Sequence, residues 1–343
     1  MQTMVTIGIP VYEAATYVRA ALESALAQDY DDLEILVVDD CGRDGSMAVV
    51  EDLQRHHPRG RAIRVLHNEA NQGAGRSRNR IIDEARGDYL YFLDSDDWIE
   101  PATITLLMEA MRQHDAQVVY GSYEKVDTLY HHPTQQYVYP PTLLLQPGEL
   151  AVYAFSHYGR FQVSVCNCLF RLGFLRATGL RFVAAMFWED MAFTCGLVTQ
   201  VSRAVLLPDV TYHYICRANS LSNYQDEAVA SRDMILANAS TVDRLKVHCY
   251  RQRGEGYAPL YCVYLEMVSF YVVCHVLKHR RLIAPPISNR ELRQMMRHPV
   301  RAADIMRFGS LRWYNLLLWC VSKLPSTLFV AVVRLMGRLK HAL

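Results

Sequence analysis

Two short apolar runs that end abruptly in acids constrain this chain more than any other feature. Leu33–Val38 stops at Asp39-Asp40, and Tyr89–Leu93 stops at Asp94-Ser95-Asp96-Asp97. Runs without polar alternation are strands buried on both faces, and such strands belong to parallel sheets covered by helices. Ligands of such sheets bind beyond the carboxyl ends of the strands, where these acids fall.

The intervening segments fit that reading. Val5–Ile9 is expected to be a strand that stops at Pro10, which lacks the N–H a central strand needs. Val18, Ala21, Leu22, Ala25 and Leu26 repeat at helical spacing. Met47, Val50 and Leu53 mark a second helix, Ile63–Leu66 a third strand. Arg78, Ile81, Ile82 and Ala85 share one face of a helix after the Gly73/Gly75 turn. Pro101–His114 reads as a helix and Val118–Tyr123 as a strand. Residues 123–147, rich in Tyr, Pro, His and Gln, read as an irregular insertion. Val163–Phe170 and Ala204–Tyr214 are further expected strands. From Ala228 the pattern is helical to the end, broken at Gly254/Gly256, Pro285-Pro286 and Pro325.

Four acidic or basic foci carry candidate chemistry. The carboxylates of Asp94, Asp96 and Asp97 repel one another unless a cation is present. Hard oxygen ligands favour Mg²⁺ or Mn²⁺, which also grip diphosphate. A solvated acidic turn with a helix cap ahead of Trp98 fits the same letters. Asp39-Asp40 can be a turn, or can present a carboxylate to the N3–H of a uracil ring. Asn71, Gly73, Gly75, Arg76 and Arg78 allow backbone and guanidinium to approach phosphate or base, or form a plain turn with solvated arginines. Glu189-Asp190 either opens a helix, where acids suit the macrodipole, or supplies a general base.

These pieces occur in one order, and that order resembles family 2 of the inverting glycosyltransferases, which have the GT-A fold. The resemblance spans roughly residues 3–225. It implies an α/β domain at 1–225, with a mostly parallel nucleotide-binding sheet flanked by helices. Residues 226–343 remain as a basic helical C-terminal region. By the resemblance, Pro10, Val11 and Tyr12 contact the nucleotide, Asp39 recognises uracil, and Asn71 and Arg78 belong to the donor site. Asp94, Ser95 and Asp96 match the DxD motif, with Asp96 as the ligand of Mn²⁺ or Mg²⁺. Asp190 matches the catalytic base and Glu189 its neighbour. Tyr212-His213-Tyr214 and Arg217 match a segment that closes over diphosphate. Ile215 stands where an arginine is common, which makes His213 (as a metal ligand) or Arg217 the substitutes. The implied partners are a UDP-sugar donor and a glycan or lipid-linked acceptor, in polysaccharide biosynthesis. A non-catalytic scaffold of the same fold is the alternative.

Charge divides the chain. The whole carries 36 Lys/Arg and 35 Asp/Glu, a net of +1. From Lys278 to Leu343 there are 13 basic and 2 acidic residues, so that part is +11 and the remainder −10. Tryptophans beside basic residues in the last helices suit an anionic bilayer surface. Packing on the catalytic domain or in a homo-oligomer suits them too. Leu260–Leu277 is the nearest approach to a membrane span, interrupted by Glu266, Ser269 and His275. The nine cysteines lack disulfide or zinc spacing, and no leader pattern follows Met1. The expected location is therefore cytoplasmic, peripheral at the inner face of the plasma membrane. A dinucleotide-dependent dehydrogenase would need GxGxxG after strand one, which is missing. Nucleic acid is not an expected partner, because the tail aromatics sit among aliphatics.

Overall fold

The computed structural model describes residues 3–127, 133–183, 188–216 and 231–340. They divide into two compact units. The first comprises 3–150, 162–183 and 189–216; the second comprises 151–161, 188 and 231–340.

The first unit is built on one mixed sheet. Its strands are β1 (Val5–Val11), β2 (Leu33–Asp39), β3 (Ile63–His67), β4 (Tyr89–Phe92) and β5 (Trp98–Ile99). They are followed by β6 (Val118–Asp127), β7 (Pro133–Tyr137), β8 (Thr142–Leu144), β9 (Cys168–Arg171) and β10 (Ala204–Cys216). The order is β3-β2-β1-β4-β9-β6-β10-β5, with β7 beside β6 and β8 beside β10. The β3-β2-β1-β4 half is parallel throughout. Antiparallel β9 joins it to the parallel β6–β10 pair.

The apolar runs dictate this half. Every residue of β2 except its last is buried. Helix α1 (Val18–Leu26) buries Val18, Ala21, Leu22, Ala25 and Leu26, the set its periodicity picks out. Helices α2 (Ser46–His56) and α3 (Ala74–Glu84) follow β2 and β3. Gly8 lets α3 approach β1: a Cβ there would lie 2.3 Å from Ile81 Cγ2.

The structure corrects three expectations. Strand β1 does not stop at Ile9; it runs through Pro10 to Val11, paired with β2. Leu93 N–H donates to Gly8 O and Asp40 N–H to Val11 O, so Pro10 faces the β4 side. There the ladder has already ended at Gly8 and Phe92, and no N–H is required. The described part of 123–147 is not irregular. Strand β6 continues to Asp127 and β7 pairs with it, Tyr123 stacking on Tyr137 at 4.6 Å. Strand β7 is an exposed edge, which removes the apolar pattern that marks buried strands. Finally, Val163–Phe170 yields a strand only from Cys168. Asn167 adopts φ 59°, and its side chain joins Tyr91 Oη, Thr211 Oγ1 and Ser122 O instead of extending the ladder.

Helices α4 (Thr103–Gln113), α5 (Glu149–Ser156), α6 (Leu172–Ala177) and α7 (Glu189–Val198) come next in the chain. In the second unit, α8 (Arg232–Arg251), α9 (Ala258–His279), α10 (Asn289–Met295), α11 (Ala302–Ile305), α12 (Arg312–Lys323) and α13 (Ser326–Leu339) follow the Gly and Pro breaks. Among the described helices, α9 alone is long and apolar enough to cross a membrane. Here it is a core helix: Phe270, Val273, Cys274, Val276 and Leu277 are buried with Phe329 and Val333 of α13. Residues 151–161 belong to this unit because Phe155 stacks on Tyr261 at 4.1 Å and Tyr158 meets Tyr264 and Tyr271.

Gly8→Ala should destabilise the chain by about 1–3 kcal/mol through overpacking. Adding Ile81→Ala should cost less than the two single changes summed, because it vacates the space the new methyl needs. Urea unfolding of the four proteins checks this.

Candidate active site

The sheet register sets out the site. Val11 pairs with Asp39 across β1 and β2, and Gly8 pairs with Phe92 across β1 and β4. Tyr12, Asp39 and Asp94 therefore leave three adjacent strands at the same carboxyl edge. Asp39 meets His67 Nδ1 at 2.9 Å and accepts the Cys41 N–H at 3.1 Å. Its neighbour Asp40 is buried and does something else. It accepts from Asn68 Nδ2 and from the N–H groups of Gln72 and Gly73, at 2.7–2.9 Å, and so fixes the loop that leads into α3. Asn71 Oδ1 accepts the Gly73 N–H within that loop.

Arg78 lies on the first half of α3 with its side chain only 5% exposed. Its guanidinium donates to Asp94 Oδ1 at 2.8 Å, to Asp190 Oδ1 at 2.9 Å and to Glu189 Oε1 at 3.4 Å. Glu189 and Asp190 open α7 (Glu189–Val198). One cation thus gathers two acidic foci separated by almost a hundred residues. Neighbouring side chains hold it in place. Asn79 clamps the backbone of Phe182 through two hydrogen bonds, and the Phe182 ring lies 5.7 Å from the Arg78 Cζ and 4.1 Å from Phe193. Gly75 allows this approach: a Cβ would meet Val183 O at 3.2 Å and Glu189 Cγ at 3.4 Å. Sequence reasoning missed Phe182, which no motif marks.

Burial raises the Asp190 pKa, Arg78 opposes that rise, and Asp94 adds to it. Ser164 and the Val165 N–H oppose the rise to a lesser degree. Burial and the adjacent Asp190 push Glu189 up to about 7. The site therefore holds more carboxylate than one guanidinium neutralises, which suits added cationic charge.

The Asp94–Asp97 turn splits its acids by environment. Asp97 is buried, accepting from Tyr212 Oη at 2.5 Å and the Ile215 N–H at 2.8 Å. Burial, with Asp96 and Asp94 nearby, raises its pKa well above the usual range. Asp97 anchors β10, whereas Asp94, Ser95 and Asp96 remain partly exposed. No helix cap forms here; Trp98-Ile99 is the short strand β5. His213 is buried with Nδ1 2.9 Å from Glu124 and Nε2 2.8 Å from Glu100, stacked on Trp98 at 3.4 Å. Both of its ring nitrogens are thus engaged. Arg217 lies outside the described residues.

Residues 6–176 match the family model described as Glycosyl transferase family 2. The chain belongs to that family. It is 27% identical over 305 residues to the succinoglycan biosynthesis protein ExoO of Rhizobium meliloti (strain 1021), covering 84% of this chain and 83% of ExoO. It is 30% identical over 228 residues to the uncharacterized glycosyltransferase EpsJ of Bacillus subtilis (strain 168), covering 65% of this chain. The chain spans 64% of EpsJ, and 41% and 27% of two further curated glycosyltransferases. Among solved structures, S. aureus TarS 1-349 in complex with UDP-GlcNAc shares the fold, with TM-score 0.65 and 17% identity, over 93% of this chain and 90% of TarS 1-349. The architecture of this family 2 member is GT-A.

Stability should fall as pH rises from about 4.5 to 7, because native Glu189 keeps a proton that the unfolded chain releases. The contribution is complete below the unfolded pKa and gone above the folded one. Glu189→Gln should flatten that part of the slope in urea melts taken across the window.

Proposed function

We propose that this chain transfers a sugar from a nucleoside-diphosphate donor, a UDP-sugar, to a hydroxyl of a glycan or lipid-linked acceptor in polysaccharide biosynthesis. The observation that carries this is the shared guanidinium of Arg78, which places Asp190 beside Asp94 at the carboxyl edge of the sheet. A proton acceptor and a donor-binding turn within reach of one cation are what a single displacement needs. Asp190 takes the proton of the acceptor hydroxyl as it attacks the anomeric carbon, and burial helps by making the carboxylate more basic. The nucleotide leaves from the opposite face, so the anomeric configuration inverts and no glycosyl-enzyme forms. Asp39, paired in register with Val11, offers its carboxylate to the base, with Pro10 and Tyr12 beside it.

The residues fit a divalent cation at the DxD turn. Asp96 is partly exposed there. Among the described residues no three His, Cys, Asp or Glu are grouped to enclose an ion. Asp96 would hold Mg²⁺ or Mn²⁺ through a carboxylate oxygen, the hard ligand type these ions take. When bound, it supplies positive charge to the departing diphosphate. His213 is not part of this set, since Glu100 and Glu124 engage both of its nitrogens.

Two experiments test the reading. Asp190→Asn should lower transfer about 10²- to 10⁴-fold, the usual worth of a general base, while UDP binding with Mn²⁺ persists. Transfer near the wild-type rate would remove Asp190 from its role. Failure of the wild-type chain to hydrolyse or transfer from any UDP-sugar would favour the scaffold alternative. The second unit is proposed to lie at a cytoplasmic membrane surface. Trp313 (62% exposed), Leu317 (59%) and Leu335 (62%) present apolar surface on α12 and α13, among Arg312, Arg334 and Arg338. Replacing these three apolar residues by Ser should abolish flotation with anionic vesicles; undiminished flotation would overturn it.

A further inference from the structure

The helical unit contains a cavity that the proposed transfer reaction does not use. Its volume is about 430 Å³, within the range of small-molecule sites, about 300–1,000 Å³. Three stretches of chain form it. Lys246 and Tyr250 come from α8, Arg297 and Arg301 from the segment after α10, and Trp319 and Lys323 from α12. No acid lines it.

The cations are arranged rather than scattered. Lys246 is buried, its Nζ donating to Met295 O at 2.6 Å, with Glu266 3.8 Å away. Lys323 Nζ stands 5.3 Å from the Trp319 ring, and Arg301 Cζ stands 5.9 Å from the Tyr250 ring. Aromatic faces hold both heads in place without neutralising them. His298 forms part of the lining, fixed to Asn315 Oδ1 at 3.2 Å, and it is surrounded by positive charge. Burial, with Lys246 and Lys323 among the lesser causes, lowers its pKa to about 4. The acids behind the lining are Asp243, which acts on Lys246 and Arg297, and Glu266, which acts on Lys246. Arg301 and Lys323 make no ion pair among the described contacts.

Cations converging on one cavity from three chain segments suit an anion with several oxygens. A guanidinium fork matches two phosphate oxygens at once, and ammonium groups take the rest as point charges. The cavity is larger than a bare phosphate, and Tyr250 and Trp319 offer flat apolar wall to whatever the phosphate is attached to. We infer that this cavity binds a phosphate ester carried on a glycerol- or sugar-sized group, at a site separate from the one that holds the donor. The same headgroup occurs on soluble phosphate esters and on anionic phospholipids.

The test uses the full chain with UDP and Mn²⁺ present in excess, so that the donor site is filled. Glycerol 3-phosphate is titrated calorimetrically, with glycerol as the neutral control. In a second arm, sedimentation with phosphatidylglycerol vesicles is compared with phosphatidylcholine vesicles. The variant R297Q/R301Q/K323Q changes three exposed side chains, so it should fold, which circular dichroism verifies. The expected result is binding in at least one arm that the variant weakens about tenfold or more, with UDP affinity unchanged. Binding of glycerol 3-phosphate identifies a soluble ester, and binding to vesicles alone identifies a lipid headgroup. Wild-type binding in neither arm, or equal binding by the variant, overturns the inference. UDP binding is read separately, so failure here leaves the donor-site reading standing, and the reverse.

Discussion

A single buried guanidinium gathers the acids at the carboxyl edge of the sheet. Among the described residues, Arg78 is the one positive group in hydrogen-bond contact with Asp94, Glu189 and Asp190. Without it three carboxylates would face one another in a partly desolvated space, where like charges are costly. Its own burial is tolerable only because these acids surround it. The arrangement joins α3 and the end of β4 to the start of α7, which lies far along the chain. Geometry at the edge of the sheet is thus set by charge, not by the backbone ladder alone.

Identical letters acquire different duties through their surroundings. Asp39 and Asp40 are adjacent, yet the second is consumed by the loop before α3 while the first meets His67 and the Cys41 N–H. Asp96 and Asp97 are adjacent too, and β10 reaches the second with a tyrosine hydroxyl and an amide. In each pair one acid builds the scaffold that presents the other.

Much of this was legible in the sequence because buried periodicity is a local property. The buried face of α1 and the uniform burial of β2 follow from spacing alone. The acids at strand ends, and their convergence on one edge, follow from the alternation of strand and helix. What escaped depends on distant partners. Pro10 extends a central strand because β4 stops two residues short of it. Asn167 interrupts an apolar run because Tyr91, Ser122 and Thr211 surround its amide. His213 has the chemistry of a ligand, but two glutamates from other segments engage it. Strand β7 has no inward face to leave a pattern.

The excursion at 151–161 bears on how such a chain can be cut or recombined. Those residues belong to the helical unit, while the chain before and after them belongs to the sheet. No single break in the polypeptide separates the two bodies. A fragment ending near residue 225 would keep Phe155 and Tyr158 but lose Tyr261, Tyr264 and Tyr271, against which they rest. Swapping C-terminal helices between relatives by simple end fusion would leave the same mismatch. The aromatic segment and the helices must therefore be exchanged as a set.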